Sequence, residues 1–272
     1  MAETILLLVS GLAGGFLAGL LGIGGGVIYI IILPYALSHI GVPADEIVQY
    51  TIANSILGTF FASLSGNIAH MRKHEFYVSE VLNVGTFAVV FSLGSLFLIV
   101  NTTWYDKTVF NIFIICLLVF ILIRTIWLNS RPKDPKPKAS HNPPMLAVVG
   151  SSGGLIASLS GLGGGAIMVP ILNLGLHMDI KKAKSISLGV ISMSSLAMTL
   201  YNSFEDIRNP FDYYNWGYIV WPIALTLSAG VVVGSPLGVK VGRKISSRTI
   251  SFIFSAFLLV VIVKKAIELY NA

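Results

Sequence analysis

The chain has 272 residues, of which 55% are hydrophobic and 11% are charged, and its mean hydropathy is +0.83. A soluble domain carries about 25% charged residues, so the composition excludes a soluble globular protein and predicts a polytopic protein of the lipid bilayer. The net charge of +6 does not indicate a nucleic-acid partner, because the basic residues gather in short loops between apolar runs. Cys116 is the only cysteine, which excludes a disulfide framework and a cysteine-based metal site.

Apolar runs of spanning or near-spanning length follow one another along the chain. They cover residues 4–21, 27–40, 48–69, 79–100, 108–128, 146–160, 166–176, 185–201, 216–238 and 249–270. A helix that crosses a membrane needs about 20 residues, so runs 27–40 and 166–176 are too short and run 146–160 is marginal. Residues 129–144 form a charged, proline-rich linker, which divides the chain into a first transmembrane repeat (1–128) and a second transmembrane repeat (145–272).

One glycine pattern occurs in both halves. Gly22-Ile23-Gly24-Gly25-Gly26 (the first glycine tract) returns as Gly161-Leu162-Gly163-Gly164-Gly165 (the second glycine tract) at a constant offset (161 − 22 = 139). Neighbouring small and apolar residues repeat at the same offset, which indicates a duplication. An odd number of segments in each half makes the second repeat inverted relative to the first. The sequence therefore predicts an all-α polytopic membrane protein with two inverted-topology repeats of about five hydrophobic helical segments each, the first pair in each repeat being short and broken at a glycine tract.

Other glycines recur every four residues, which places them on one face of a helix. These ladders are Gly11, Gly15 and Gly19 near the start of the chain and Gly230, Gly234 and Gly238 in the second half. Small residues at this spacing let two helix backbones approach closely. The ladders therefore predict helix packing rather than ligand binding.

Loop charges predict the orientation of the chain. Basic residues are concentrated at 70–74, 129–144, 181–184 and 240–248, so these segments are expected in the cytoplasm. The loops at 41–46, 101–107 and 203–213 hold acidic residues with few bases and are expected outside. Both termini are then external and the linker is cytoplasmic, in the plasma or inner membrane. Lys264 and Lys265, near the external end of the last run, are the discordant pair.

The glycine tracts are the candidate binding site. Irregular backbone at membrane depth persists only where it is buried in protein or lines a cavity. Runs 27–40 and 166–176 begin at the tracts, so the N–H groups of their first turns have no helical partners, and two such helix ends facing each other attract an anion. The predicted substrate-binding residues of the tracts are Gly22, Gly24, Gly25, Gly26, Gly161, Gly163, Gly164 and Gly165. The alternative is that the tracts serve only tight helix packing.

The third run of each half, 48–69 and 185–201, is rich in hydroxyl and amide side chains. Neutral donors can hydrogen-bond an oxyanion without burying a cation, and the predicted contacts are Asn54, Ser55, Ser192 and Ser194. The alternative is that such residues bond the i−4 carbonyl of their own helix or hold helices together. No carboxylate proton relay is predicted, because no acidic residue lies securely at the centre of a run.

The two Gly-x-Gly-Gly-Gly tracts, the 129–144 linker and the repeated halves with polar third runs resemble the sulfite exporter TauE/SafE family of membrane permeases. The resemblance covers nearly the whole chain. It implies export of small anions such as sulfite, sulfoacetate or other organosulfonates, or of related organic anions, with the glycine tracts in the transport core.

The leading hypothesis is a secondary transporter that exports a small anionic substrate by alternating access, with its site at the midplane. The alternatives are an anion channel, which would need a continuous polar path, and a permease for another organic anion such as a carboxylate, including one that imports. An intramembrane enzyme is not expected, because the runs contain no Ser/His pair, no His-Glu-x-x-His helix and no paired aspartates. No cofactor and no metal are predicted, and the sequence leaves open whether the chain forms a homo-oligomer.

Overall fold

The structure is a computed structural model, and it describes residues 2–129, 143–209 and 213–270. The helices within these ranges are α1 (Ala2–Leu21), α2 (Gly26–His39), α3 (Ile47–Met71), α4 (Val78–Asn101), α5 (Lys107–Asn129), α6 (Pro143–Ser160), α7 (Gly165–Pro170), α8 (Ile180–Phe204), α9 (Trp221–Gly242) and α10 (Ser247–Tyr270). A π-helical turn, Ile171–Gly175, extends α7. Strands β1 (Asn215–Trp216) and β2 (Ile219–Val220) pair antiparallel just before α9.

Seven helices in the described ranges are long and apolar enough to cross a membrane, namely α1, α3, α4, α5, α6, α8 and α9. Helix α2 has 14 residues and α7 has 6 before its π-helical turn, so both fall short of a full span, as their apolar runs predicted. The chain is therefore an all-α polytopic membrane protein, apart from the small β1–β2 hairpin. The composition predicted this class correctly.

Two helices are longer than predicted. The expectation that both members of each glycine-broken pair are short is wrong for α1 and α6, which have 20 and 18 residues. Helix α6 begins at Pro143, which had been assigned to the linker. A proline is tolerated at a helix start because its missing N–H would have no helical partner there. Of the predicted linker, residues 130–142 lie outside the described part of the chain.

Helix α8 also begins earlier than its apolar run. The Asp179 carboxylate caps it by accepting a hydrogen bond of 2.8 Å from the Lys181 N–H. Lys181, Lys182 and Lys184 consequently lie in the first turns of a helix, where a loop was predicted. The early start brings Lys184 against the first glycine tract.

The two halves exchange packing partners. Helix α1 of the first half packs most extensively against α9 of the second half, and α6 of the second half packs against α4 of the first. The third run of each half, α3 and α8, pack on each other, and so do α5 and α10. Each half thus completes its core with helices of the other.

The glycine ladders lie at the α1–α9 contact. A Cβ on Gly11 would lie 2.0 Å from the Leu227 carbonyl oxygen, and one on Gly15 would lie 2.5 Å from that of Val231. Facing them, a Cβ on Gly234 would lie 2.2 Å from the Leu12 carbonyl oxygen. These separations are far below contact distance, so only glycine fits. The prediction that the ladders serve close packing is confirmed.

Polar contacts join the halves at one end of the helices. The Arg243 guanidinium after α9 lies 2.6 Å from the Glu75 carboxylate after α3, and the Ser185 hydroxyl of α8 donates to the Glu75 carbonyl at 2.5 Å. Lys182 lies 2.5 Å from Glu80. Three of the segments predicted to be cytoplasmic therefore meet at this end.

A second group of contacts forms among the loops predicted to be external. The buried Glu46 carboxylate accepts hydrogen bonds from the Arg208 N–H at 3.0 Å, the Asn209 N–H at 3.0 Å and the Tyr218 hydroxyl at 2.9 Å. Burial, with the Glu46 charge beside it, raises the pKa of Tyr218 above its ordinary value. The Arg208 guanidinium also donates to the Thr102 carbonyl at 3.0 Å. The three loops predicted to be external thus meet here, two of them at the Glu46 carboxylate and the third through Arg208.

Lys265 is one of the two charges that did not fit the loop pattern, and its contacts explain why. Its side chain is only 2% exposed, and its ammonium lies 2.7 Å from the Glu268 carboxylate and 3.3 Å from the Asn111 amide oxygen. It is therefore a paired charge at the α5–α10 contact and not a loop cation, so the rule for loop charges does not apply to it.

Candidate functional site

Both glycine tracts leave the helical conformation. The backbone angle φ is positive at Gly22, Gly24, Gly161, Gly163 and Gly164, between +71° and +88°. Residues with a Cβ rarely adopt this region, so glycine is what allows the chain to turn between α1 and α2 and between α6 and α7. The irregular backbone that the sequence predicted is present at both positions.

The two tracts touch each other directly. A Cβ on Gly26 would lie 2.5 Å from the Gly161 carbonyl oxygen, and a Cβ on Gly165 would lie 2.5 Å from the Gly22 carbonyl oxygen. The contact is reciprocal, since each tract presents its last glycine to the first glycine of the other. Any side chain at either position would force the tracts apart.

Two buried serines tie the tracts to the opposite halves. The Ser55 hydroxyl of α3 donates to the Gly161 carbonyl at 2.8 Å, and the Ser187 hydroxyl of α8 donates to the Gly22 carbonyl at 2.9 Å. Both serines have 0% exposure. Each half therefore holds the glycine tract of the other with one hydrogen bond.

Backbone donors remain unpaired at the start of α2 and α7. The first backbone N–H to find a partner is that of Ile28 in α2 and that of Ile167 in α7, which donate to the Gly25 and Gly164 carbonyls. Among the described residues, no protein acceptor pairs with the N–H groups of residues 24–26 or 163–165. Unpaired N–H groups at helix starts create positive potential and suit an anion.

Thr59 of α3 lies against both tracts. Its methyl carbon is 3.0 Å from the position of a Cβ on Gly24 and 2.6 Å from that of a Cβ on Gly163. The side chain is fully buried, yet its hydroxyl has no hydrogen-bond partner. A buried hydroxyl without a partner is uncommon in folded proteins and is destabilising by about 1–3 kcal/mol. Thr59 is therefore a candidate ligand contact.

Tyr29 of α2 carries a second unpaired hydroxyl at the first glycine tract. The side chain has 0% exposure and fills the space between Gly14 and Gly25, and its hydroxyl has no partner within the described chain. The second tract has Met168 at the comparable place, against Gly153. The two tracts thus differ in the polarity of what packs behind them.

The other predicted side chains make different contacts. The Asn54 amide donates to the Tyr218 carbonyl at 3.1 Å and accepts from the Val220 N–H at 3.0 Å, which fixes the β1–β2 hairpin. Ser192 and Ser194 donate to carbonyls of their own helix. Of the four polar side chains singled out in the sequence, Ser55 is the one that hydrogen-bonds to a glycine tract. A substrate contact by any of the four stays a prediction.

Residues 6–265 match the family described as sulfite exporter TauE/SafE, which is nearly the whole chain. The chain belongs to the sulfite exporter TauE/SafE family. The resemblance that the glycine tracts indicated is therefore correct, and the protein is a membrane transporter of this family.

Three relatives illustrate the match. A "probable membrane transporter protein" of Methanocaldococcus jannaschii is 28% identical over 93% of this chain and 91% of its own length. One of Haemophilus influenzae is 28% identical over 94% of this chain and 96% of its own length. "Sulfite exporter TauE/SafE family protein 5" of Arabidopsis thaliana is 30% identical, but over 38% of this chain and 21% of its own length. None of these names denotes an enzyme, and no solved structure matches the chain.

Of the two serines that tether the tracts, Ser55 was among the contacts predicted from the sequence and Ser187 was not. Ser55 and Ser187 differ by 132 positions (187 − 55 = 132), whereas the glycine tracts differ by 139. The connection between the second and third helices is shorter in the second half, so an alignment based on the tracts pairs Ser55 with Ser194. Counting from the helix starts Ile47 and Ile180 (180 − 47 = 133) would have reached Leu188, the neighbour of Ser187.

Proposed function

We propose that the protein transports small anions and that the glycine tracts form its binding site. The observation that carries this proposal is the group of unpaired donors at one place, namely the N–H groups of residues 24–26 and 163–165 with the Thr59 hydroxyl. The side chains nearest to the tracts are neutral or, at Lys184, cationic. Donors without neighbouring carboxylates favour an anion over a cation.

The proposed substrates are sulfite, sulfoacetate and other organosulfonates. The family description supports an oxidised sulfur anion, and the site suits it because a tetrahedral or pyramidal oxyanion accepts several hydrogen bonds at once. Export is the favoured direction, because an anion leaving a cell that is negative inside gains about 2.3 kcal/mol per charge per 100 mV. A carboxylate permease would present the same donors to a different anion, and an importer would move the anion in the opposite direction. The transport assay distinguishes these alternatives.

The proposed mechanism is alternating access of two inverted-topology repeats. The exchanged packing of α1 on α9 and α6 on α4 supports this symmetry. The direct contact between the tracts supports a transporter over an open channel, since a continuous polar path would have to separate Gly26 from Gly161. In this mechanism the tracts part to admit the anion, and the polar contacts at Glu75 and at Glu46 open in turn.

The proposed orientation has both termini and the Glu46 contacts outside and the Glu75 contacts in the cytoplasm, in the plasma or inner membrane. The grouping of basic segments at one end and acidic segments at the other supports it.

Transport into proteoliposomes tests the function. We expect saturable uptake of sulfite or ethanesulfonate and no uptake of rubidium. Uptake of rubidium, or a complete lack of uptake of all three ions, would refute an anion transporter. Gly164→Val should abolish uptake, because its Cβ would lie 2.1 Å from the Gly153 carbonyl oxygen. Gly94→Val is the matched control, since a Cβ there meets nothing within 4 Å. Both variants should be recovered from the membrane fraction before uptake is compared.

A further inference from the structure

Among the side chains nearest to the glycine tracts in the described part of the chain, that of Lys184 is cationic. The Cβ and Cγ atoms of Lys184 in α8 are both 3.0 Å from the position of a Cβ on Gly22. Its ammonium donates to the Leu20 carbonyl, in the last turn of α1, at 2.8 Å. The sequence assigned this lysine to a cytoplasmic loop, where it would have had no contact with the site.

The equivalent position beside the second tract is apolar. Ile52 of α3 lies beside Gly161 as Lys184 lies beside Gly22, with its Cα 3.5 Å from the position of a Cβ on Gly161. The pair Ile52 and Lys184 has the same offset as the tethering serines (184 − 52 = 132). The two sides of the site therefore share a framework, and a positive charge is present on one side and not at the equivalent position of the other.

This ammonium has hydrogen-bonding capacity left over. A lysine has three N–H donors, and the described residues supply one acceptor, the Leu20 carbonyl. No ion pair joins Lys184 to a carboxylate of the described residues; Glu75 pairs with Arg243, and Glu80 lies 2.5 Å from Lys182. An ammonium that is partly buried, as Lys184 is, gains from an anion that completes its donors.

We propose that Lys184 binds the transported anion on the side of the tracts that faces the basic end of the helices. The ligand class is a small oxyanion, which the ammonium receives before the backbone N–H groups and the Thr59 hydroxyl further in. This inference rests on the proposed function. It adds the charge that selects anions and makes the two approaches to the site unequal, since Ile52 offers no such contact to an anion arriving from the opposite end.

A purely structural role for Lys184 makes a different prediction. A cation at the end of α1 also satisfies a terminal carbonyl and the negative end of the helix dipole. In that role the lysine would affect the stability of the protein and leave its affinity for anions unchanged. Binding measurements therefore separate the two roles.

The binding test compares Lys184→Met with Lys181→Met in the purified full-length protein, with sodium sulfite and sodium ethanesulfonate as probes. Methionine keeps the apolar packing on Gly22 and removes the charge, whereas Lys181 is exposed at the same end and controls for net charge. We expect Lys184→Met to weaken binding about tenfold to a hundredfold, as the loss of a charged hydrogen bond does, and Lys181→Met to leave it within about twofold. Equal binding by the two variants would overturn the role of Lys184 while the proposed function stands. Absence of binding by the wild type would instead overturn the proposed function.

Chemical labelling decides the question if Lys184→Met does not fold. In the wild-type protein, a small amine-acetylating reagent should modify Lys184 more slowly when ethanesulfonate is present, and Lys181 at an unchanged rate, as read by mass spectrometry of the peptides. Equal rates at Lys184 with and without ethanesulfonate, at a concentration that saturates binding, would overturn the proposal.

Discussion

Replacing Thr59 by valine should stabilise the protein and impair its transport. Valine preserves the branched shape and keeps a methyl group against Gly24 and Gly163, but it removes a hydroxyl that is fully buried without a partner. A buried unsatisfied hydroxyl is unfavourable by about 1–3 kcal/mol, so its removal should increase the free energy of unfolding by up to that amount. Most core substitutions are destabilising, which makes the sign of this change informative.

The same substitution should weaken the binding of an anion. If the Thr59 hydroxyl donates to the bound anion, its loss removes a hydrogen bond to a charged group, which contributes about 1.5–3 kcal/mol. That energy corresponds to a dissociation constant about tenfold to 150-fold higher. Because the buried hydroxyl has no partner within the described chain, stability and affinity should move in opposite directions.

Thermal unfolding and anion binding, measured on the same purified samples, check both effects. Thr86→Val is the matched control, because the exposed Thr86 hydroxyl of α4 already donates to the Leu82 carbonyl at 2.8 Å and lies away from the tracts. The control should bind sulfite as the wild type does. A Thr59→Val protein that is less stable, or that binds and transports anions normally, would refute the reasoning.

Two further predictions concern the tethers and the orientation. Ser187→Ala should lower the free energy of unfolding by about 1–3 kcal/mol, because the buried Gly22 carbonyl loses its partner. Ser194→Ala should change the free energy of unfolding by less than about 0.5 kcal/mol, because that hydroxyl bonds only its own helix. Equal effects of the two substitutions in thermal unfolding would contradict the tether. With the free Cys116 replaced by serine, a cysteine at Lys181 should react with an impermeant thiol reagent only from the cytoplasm, and one at Asp106 only from outside. The reverse pattern in intact cells would overturn the orientation, though not the fold.

The sequence by itself determined the class of the protein and the location of its unusual backbone. Hydrophobicity over about 20 residues is a local property, so the apolar runs identified the spanning helices. Consecutive glycines are also local, and their repetition at 139 positions marked both turns before any contact was known. Helix ends were less predictable, because hydrophobicity alone does not indicate that a helix begins at Pro143 or after the Asp179 cap.

Only the tertiary structure decided which polar groups meet the glycine tracts. Serine, threonine and asparagine look alike in a polar helix, and whether each bonds its own backbone or a distant carbonyl depends on how α3 and α8 are rotated and shifted against the tracts. That register selected Ser187 over Ser194, engaged Asn54 with the β1–β2 hairpin, and left Thr59 without a partner. It also brought Lys184 against Gly22. A hydrogen bond requires positions within about 3 Å, which composition and spacing along the chain do not specify.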